Sequence, residues 1–174
     1  MQEEIGDFRL GYISEKYLAE LVAATGSDEF LEKGNRPYIG MYDVNSGWFV
    51  PLRAKVSEKK PSIARYLTPF ETKNSHFKNP GLDFQKAIYA PENWQVKEMA
   101  NTLPIKQWEY IKNHRNDINS KFTAYVSSLD KIRKDSPQYE MSTVTFFPDG
   151  IKKIKERQYM LMQMNQSQTK EIDF

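Results

Sequence analysis

Arg36-Pro37-Tyr38-Ile39-Gly40-Met41-Tyr42-Asp43-Val44-Asn45-Ser46-Gly47-Trp48-Phe49-Val50-Pro51-Leu52-Arg53-Ala54-Lys55 reads as a β-hairpin that delivers cations to its open end. Tyr38–Val44 and Trp48–Leu52 are rich in aromatic and branched residues, which fit a pleated, half-buried surface. Asn45-Ser46-Gly47 supplies a three-residue turn with glycine where a left-handed conformation is usual. The second strand then runs into Arg53, Lys55, Lys59, Lys60 and Arg65. An apolar strand pair with a cationic exit loop suits a phosphate backbone. A charge cluster is more often a solvated face, so this reading needs support from elsewhere.

Upstream, Phe8–Ile13 alternates as a short strand. Ser14 is placed to cap a helix whose face is Tyr17, Leu18, Leu21 and Val22, and Gly26-Ser27 ends it. Downstream, Val56–Pro80 has little periodicity and winds over the surface, a length that serves function or carries short strands of its own. Asp83–Ala90 returns to a strand pattern that Pro91 closes. From Pro104 the period becomes helical: Ile105, Trp108, Ile111, Ile118, Phe122, Tyr125 and Leu129 form a core stripe. Arg115 takes a stripe position, and Thr102 is the expected cap. Lys112, His114, Arg115 and Lys121 flank the stripe without being required by its packing. Met141–Phe147 reads as a strand. Asp149 is expected to cap a last helix with Ile151, Ile154, Leu161 and Met164 near one side, fraying from Asn165 onward. Neither an internal repeat nor a linker interrupts residues 1–174, so one α+β domain is expected.

Composition narrows the chemistry. The 174 residues, 39% hydrophobic and 28% charged, describe an ordinary globular chain large enough for one core. Cysteine is absent, which removes disulfides, thiolate nucleophiles and the usual structural zinc sites. With His76 and His114 the only histidines, no metal site is expected. No apolar run approaches the roughly 20 residues that span a bilayer. The acidic start Gln2-Glu3-Glu4 is unlike a signal peptide, and the cytoplasm is the expected location. Net charge is only +2, yet Arg53–Lys60 carries four bases against Glu58, and Lys152–Arg157 four against Glu156. Nucleophile elbows, phosphate-binding glycine loops and dinucleotide fingerprints are missing, so no cofactor is expected. Chemistry that needs neither metal nor cofactor remains, and scission of RNA by its own 2′-hydroxyl is the leading candidate. Arg, Lys, His, Tyr and hydroxyl side chains can share its proton transfers and charge stabilisation.

Four segments carry a family resemblance. Lys33–Gly40 holds a basic residue before an aromatic-Ile-Gly strand, and Trp48–Lys55 a strand ending in Pro51-Leu52 before a lysine. Gly81–Pro91 is a Gly-Leu strand, and Trp108–Leu129 a long helix. In order and spacing, residues 8 to 130 resemble the ToxN/AbiQ family of type III toxin–antitoxin endoribonucleases. The resemblance implies a compact, twisted antiparallel sheet or partly open barrel related to the MazF/PemK toxins, with packed helices. It also implies metal-independent endoribonuclease activity, a part in phage defence, inhibition by a small repetitive RNA antitoxin, and closed cyclic protein–RNA assemblies. By the match, Arg36, Lys55 and Lys112 take the family's basic positions. Where the family has Thr-Ser or Ser-Ser after Pro-Leu, this chain has Arg53-Ala54, and its nearest hydroxyl is Ser57. The expected catalytic group is therefore Arg53, Lys55, Ser57, Arg36 and Lys112. Expected RNA contacts are Tyr38, Lys59, Lys60, Arg65, His76, Lys78, His114 and Arg115. Arg36, Lys55 and Lys112 also read plainly as solvated charges, and His76 and His114 as idle histidines. Two other functions compete: a non-catalytic RNA-binding protein with the same basic groove, favoured by the missing hydroxyl pair, and a double-stranded DNA-binding or phage-encoded accessory protein, for which no recognition helix is visible.

Overall fold

Trp48 and its neighbours on the hairpin organise the chain. The structure is a computed structural model that describes residues 8–31, 36–100 and 102–172. Its strands are β1 (Leu10–Ile13), β2 (Tyr38–Gly40), β3 (Trp48–Arg53), β4 (Arg65–Leu67), β5 (Gly81–Asp83), β6 (Ile88–Tyr89) and β7 (Val96–Glu98). They pair antiparallel in the order β4-β5-β3-β2-β1-β7, with β6 on the other stretch of β3. The seven-stranded sheet is open, with β4 and β7 at its edges. Around it lie α1 (Glu15–Thr25), α2 (Ile105–Asn113), α3 (Arg115–Ser128), α4 (Pro137–Glu140) and α5 (Pro148–Ile172). The expected α+β class with an antiparallel sheet and packed helices is what the chain adopts.

The hairpin forms with Tyr38 opposite Pro51, Ile39 opposite Val50 and Gly40 opposite Phe49. Its first strand is shorter than expected. The Met41 N–H donates to the Trp48 carbonyl at 2.8 Å, so the connection is Tyr42–Gly47 rather than Asn45–Gly47. Tyr42 leaves the strand at a φ of 65°. Two α3 side chains hold it there: its N–H donates to Asn119 Oδ1 at 3.0 Å, and its hydroxyl bonds Thr123. Gly47 has the expected left-handed φ, 75°.

The fully buried Trp48 ring meets Tyr89, Phe122 and Phe147 at centroid distances of 5.4, 5.7 and 5.9 Å. Its indole N–H donates to the Gly150 carbonyl at 2.9 Å, locking the start of α5 onto the sheet. Such aromatic burial dominates core energetics. Ser14 caps α1 by accepting from the Tyr17 N–H, and Gly26 ends it in the left-handed region, both as expected.

Elsewhere the elements differ from the sequence pattern. The single long helix is two, broken at His114, whose φ of −104° and ψ of 13° leave the helical range. Pro104, not Thr102, takes the N-terminal cap position of α2. Asp83–Ala90 is not one strand: β5 stops at Asp83, a helical turn covers Phe84–Lys86, and β6 follows. Every residue from Gly81 to Ala90 is buried, so no alternation survives. Met141–Phe147 is not a strand either. Thr143 hydroxyl and N–H bond the Gln85 carbonyl, the hydroxyl also bonds that of Ala87, and Val144–Phe146 turns as a short 3₁₀ segment. Asp149 lies inside the first turn of α5, and the helix continues to Ile172. Ile154 is buried, whereas Leu161 and Met164 project into solvent.

Candidate functional site

A fully buried carboxylate organises the open end of the hairpin. Asp83 ends β5, where Gly81 pairs with Arg53 and Asp83 itself lies opposite Arg65. Residues directly opposite in antiparallel strands share a face. Arg53, Asp83, Arg65 and Leu67 therefore lie on one face, continued across β3 by Pro51 and its partner Tyr38. Arg53 Nη1 donates to Asp83 Oδ2 at 2.9 Å. Lys60 Nζ donates to Asp83 Oδ1 at 2.8 Å and to Gln85 Oε1 at 2.7 Å. A carboxylate with no solvent contact needs such pairing, since an unpaired buried charge costs several kcal/mol.

The two cations differ in exposure. The Lys60 side chain is 8% exposed, and burial pulls its ammonium below the ordinary lysine value, against the raising effect of Asp83. Arg53 keeps 35% of its side chain in solvent, leaving guanidinium donors free to face a ligand. The buried Tyr38 hydroxyl, which has no hydrogen-bond partner among the described residues, lies within the electrostatic reach of Arg36, Asp83 and Arg53. Its burial lifts it well above the ordinary phenol value.

The exit loop runs beside a second loop. The Val56 N–H donates to the Asn79 carbonyl at 2.9 Å, and Asn79 Nδ2 donates to Glu58 Oε1 at 2.8 Å. This zip holds the segment of exposed Lys55, Ser57 and Lys59 against Asn79, which follows exposed His76 and Lys78 in the chain. Arg36 is half-buried two residues before Tyr38, at the same end of the hairpin; Lys33 lies outside the described residues.

Two expected RNA contacts are corrected by burial. The Tyr38 ring is fully buried and offers no stacking surface. Lys60 is sequestered by Asp83 and Gln85, because the turn from Ser57 to Lys60 tucks its side chain inward. The helix residues are engaged elsewhere. The Arg115 guanidinium sits 5.0 Å from the Phe8 ring and reaches the Tyr42 carbonyl, toward the closed end of the hairpin. His114 stacks on Tyr110 at 3.9 Å. Lys112 is exposed on α2, whose polar contacts run to Thr68 and Glu71. In the sequence Asp83 and Gln85 read only as parts of a strand, not as site residues. A lone acid in the otherwise uncharged run Gly81–Gln85 was the available signal.

An open antiparallel sheet with helices packed on it and a cationic end defines an α+β protein. No family model matches the chain, and no curated protein matches it. Among solved structures it is similar to one described as "New insights into the mechanism of bacterial Type III toxin-antitoxin systems: selective toxin inhibition by a non-coding RNA pseudoknot". That likeness has a TM-score of 0.54 and 20% identity, over 87% of this chain and 96% of the other. It shows the fold.

Proposed function

We propose that this chain is, as one domain, the toxin of a type III toxin–antitoxin pair: a metal-independent endoribonuclease held inactive by a structured RNA. The observation that carries the reading is Arg53, a partly exposed guanidinium fixed from behind by buried Asp83 on a sheet of this fold. The RNA 2′-hydroxyl gives its proton to solvent water and attacks the adjacent phosphorus, forming the 2′-O–P bond as the P–O5′ bond breaks. The remaining Arg53 donors and Arg36 stabilise the charge that builds on the non-bridging oxygens. Lys55 supplies the proton taken up by the departing 5′ oxygen, and Ser57 hydrogen-bonds the phosphate beside it. Lys59, His76 and Lys78 hold the flanking backbone. Asp83 and Lys60 act behind them, positioning Arg53. The antitoxin RNA covers the same cations, in a closed cyclic assembly, and the working location is the cytoplasm.

Scission in the presence of a chelator, leaving 2′,3′-cyclic phosphate and 5′-hydroxyl ends, tests the reading. A second reading, an RNA-binding protein without catalysis, is favoured by Arg53-Ala54 standing where a hydroxyl pair is expected. Tight RNA binding with no cleavage would select it.

A further inference from the structure

A groove outside the Arg53–Asp83 cluster runs along edge strand β4. It has a volume of about 430 Å³ and is lined by Ser62, Ile63, Arg65, Tyr66, Leu67, Lys121 and Ala124. That size falls within the range of small-ligand sites, about 300–1,000 Å³. Because β4 is an edge, residues from both of its faces border the groove. Its walls are of two kinds. Ile63 and Leu67 are apolar yet 46% and 39% exposed, a patch the fold itself leaves uncovered. Arg65 and Lys121 bring two cations from different elements, β4 and α3.

The cations are uncommitted. Arg9, Arg53, Arg133 and Arg157 hold carboxylates, and Arg115 holds the Tyr42 carbonyl and the Phe8 ring. The side chains of Arg65 and Lys121 hold no hydrogen bond or ion pair among the described residues. The nearby acid, Asp117, is occupied: it accepts the Tyr66 hydroxyl at 2.6 Å, which fixes the back wall. An uncommitted, half-buried guanidinium beside an exposed apolar patch fits a ligand with an anion at one end and a flat apolar face at the other.

The position selects the ligand. Arg65 lies opposite Asp83, whose carboxylate holds Arg53, and β4 is two strands from β3. At about 4.8 Å per strand, the groove begins roughly 10 Å from Arg53 across the sheet. We propose that this groove is a nucleotide subsite for single-stranded RNA: Arg65 and Lys121 take the phosphate, while Ile63 and Leu67 contact the base next to the scissile step. This deepens the endoribonuclease reading and rests on it.

The probe is a fluorescent 2′-O-methyl RNA dodecamer of mixed sequence, which cannot undergo 2′-hydroxyl attack. Its affinity for the full chain is measured by anisotropy over a salt series. Arg65→Ala with Lys121→Ala should weaken binding by at least about tenfold and reduce the salt slope by up to about two. The exposed change Lys121→Glu should weaken it on its own, and Ile63→Ser should weaken it several-fold with the slope unchanged. A control pair on other surfaces, Lys97→Ala with Lys152→Ala, should stay within about twofold. With cleavable RNA, the groove variants should raise KM and leave saturated turnover intact. Wild-type binding that the groove variants leave within twofold would overturn the subsite alone. A wild-type chain that does not bind the probe would overturn both the subsite and the RNA reading.

Discussion

At the scale of single residues, Asp83 decides the site. Removing its carboxylate leaves Lys60 buried without a counter-charge and Arg53 without its anchor. Asp83→Ala should destabilise the chain by about 3–5 kcal/mol, measured by urea unfolding. Asp83→Asn, which keeps a hydrogen-bonding oxygen, should cost less. On the reading proposed, Lys55→Ala and Arg53→Ala should each lower the single-turnover cleavage rate at least about a hundredfold, some 2.7 kcal/mol in the barrier, with RNA affinity little changed. Lys59→Ala should do the reverse, weakening binding while saturated cleavage persists. Lys59 and Lys60 show what was legible. Their charge is plain in the sequence, but their opposite fates are set by a turn and by an acid 23 residues away, which no local pattern encodes. Arg53 was legible as a cation at a strand end, and its pairing across β5 was not.

At the scale of elements, the hairpin was readable because its pattern and its turn glycine agree. The break at His114 was not, since apolar intervals of three, four and seven pass through it unchanged. Arg115 in a stripe position was the one local sign. Met141–Phe147 has the composition of a strand but spends its polar groups on Gln85 and Ala87, a tertiary choice. The junction of sheet and α5 gives a sharp test. A methyl group on Gly150 would lie 2.6 Å from Trp48 Cζ2 and 2.7 Å from Tyr89 Cγ, both on rings that cannot yield. Gly150→Ala should therefore destabilise by about 1–3 kcal/mol and lower the melting temperature. The far half of α5 makes the opposite case. Tyr159, Met160, Leu161, Met162 and Met164 are all at least half exposed, so ending the chain after Gln158 should leave the melting temperature nearly unchanged.

At the scale of the whole molecule, buried phenols set the alkaline limit of stability. Burial pushes Tyr17 and Tyr42 up to about 12, and Tyr38 and Tyr125 higher. The folded chain thus holds these protons more tightly than the unfolded one. Their contribution is intact below pH 10 and is lost as pH rises toward 12, by up to about 1.4 kcal/mol per pH unit for each group. Lys60 acts with the other sign: its value is lowered by burial, so its effect lets stability rise with pH up to its ordinary 10.5. Unfolding midpoints from pH 8 to 12 should fall steeply above 10, and absorbance at 295 nm should show this buried set ionising only with unfolding. The open sheet and its cationic end are the frame on which the functional reading stands. Its most direct test is to incubate the purified full chain with RNA in excess EDTA and to determine the product ends. Cleavage that persists and leaves 2′,3′-cyclic phosphate and 5′-hydroxyl termini is the expected result; no cleavage, a requirement for magnesium, or 5′-phosphate termini would contradict it.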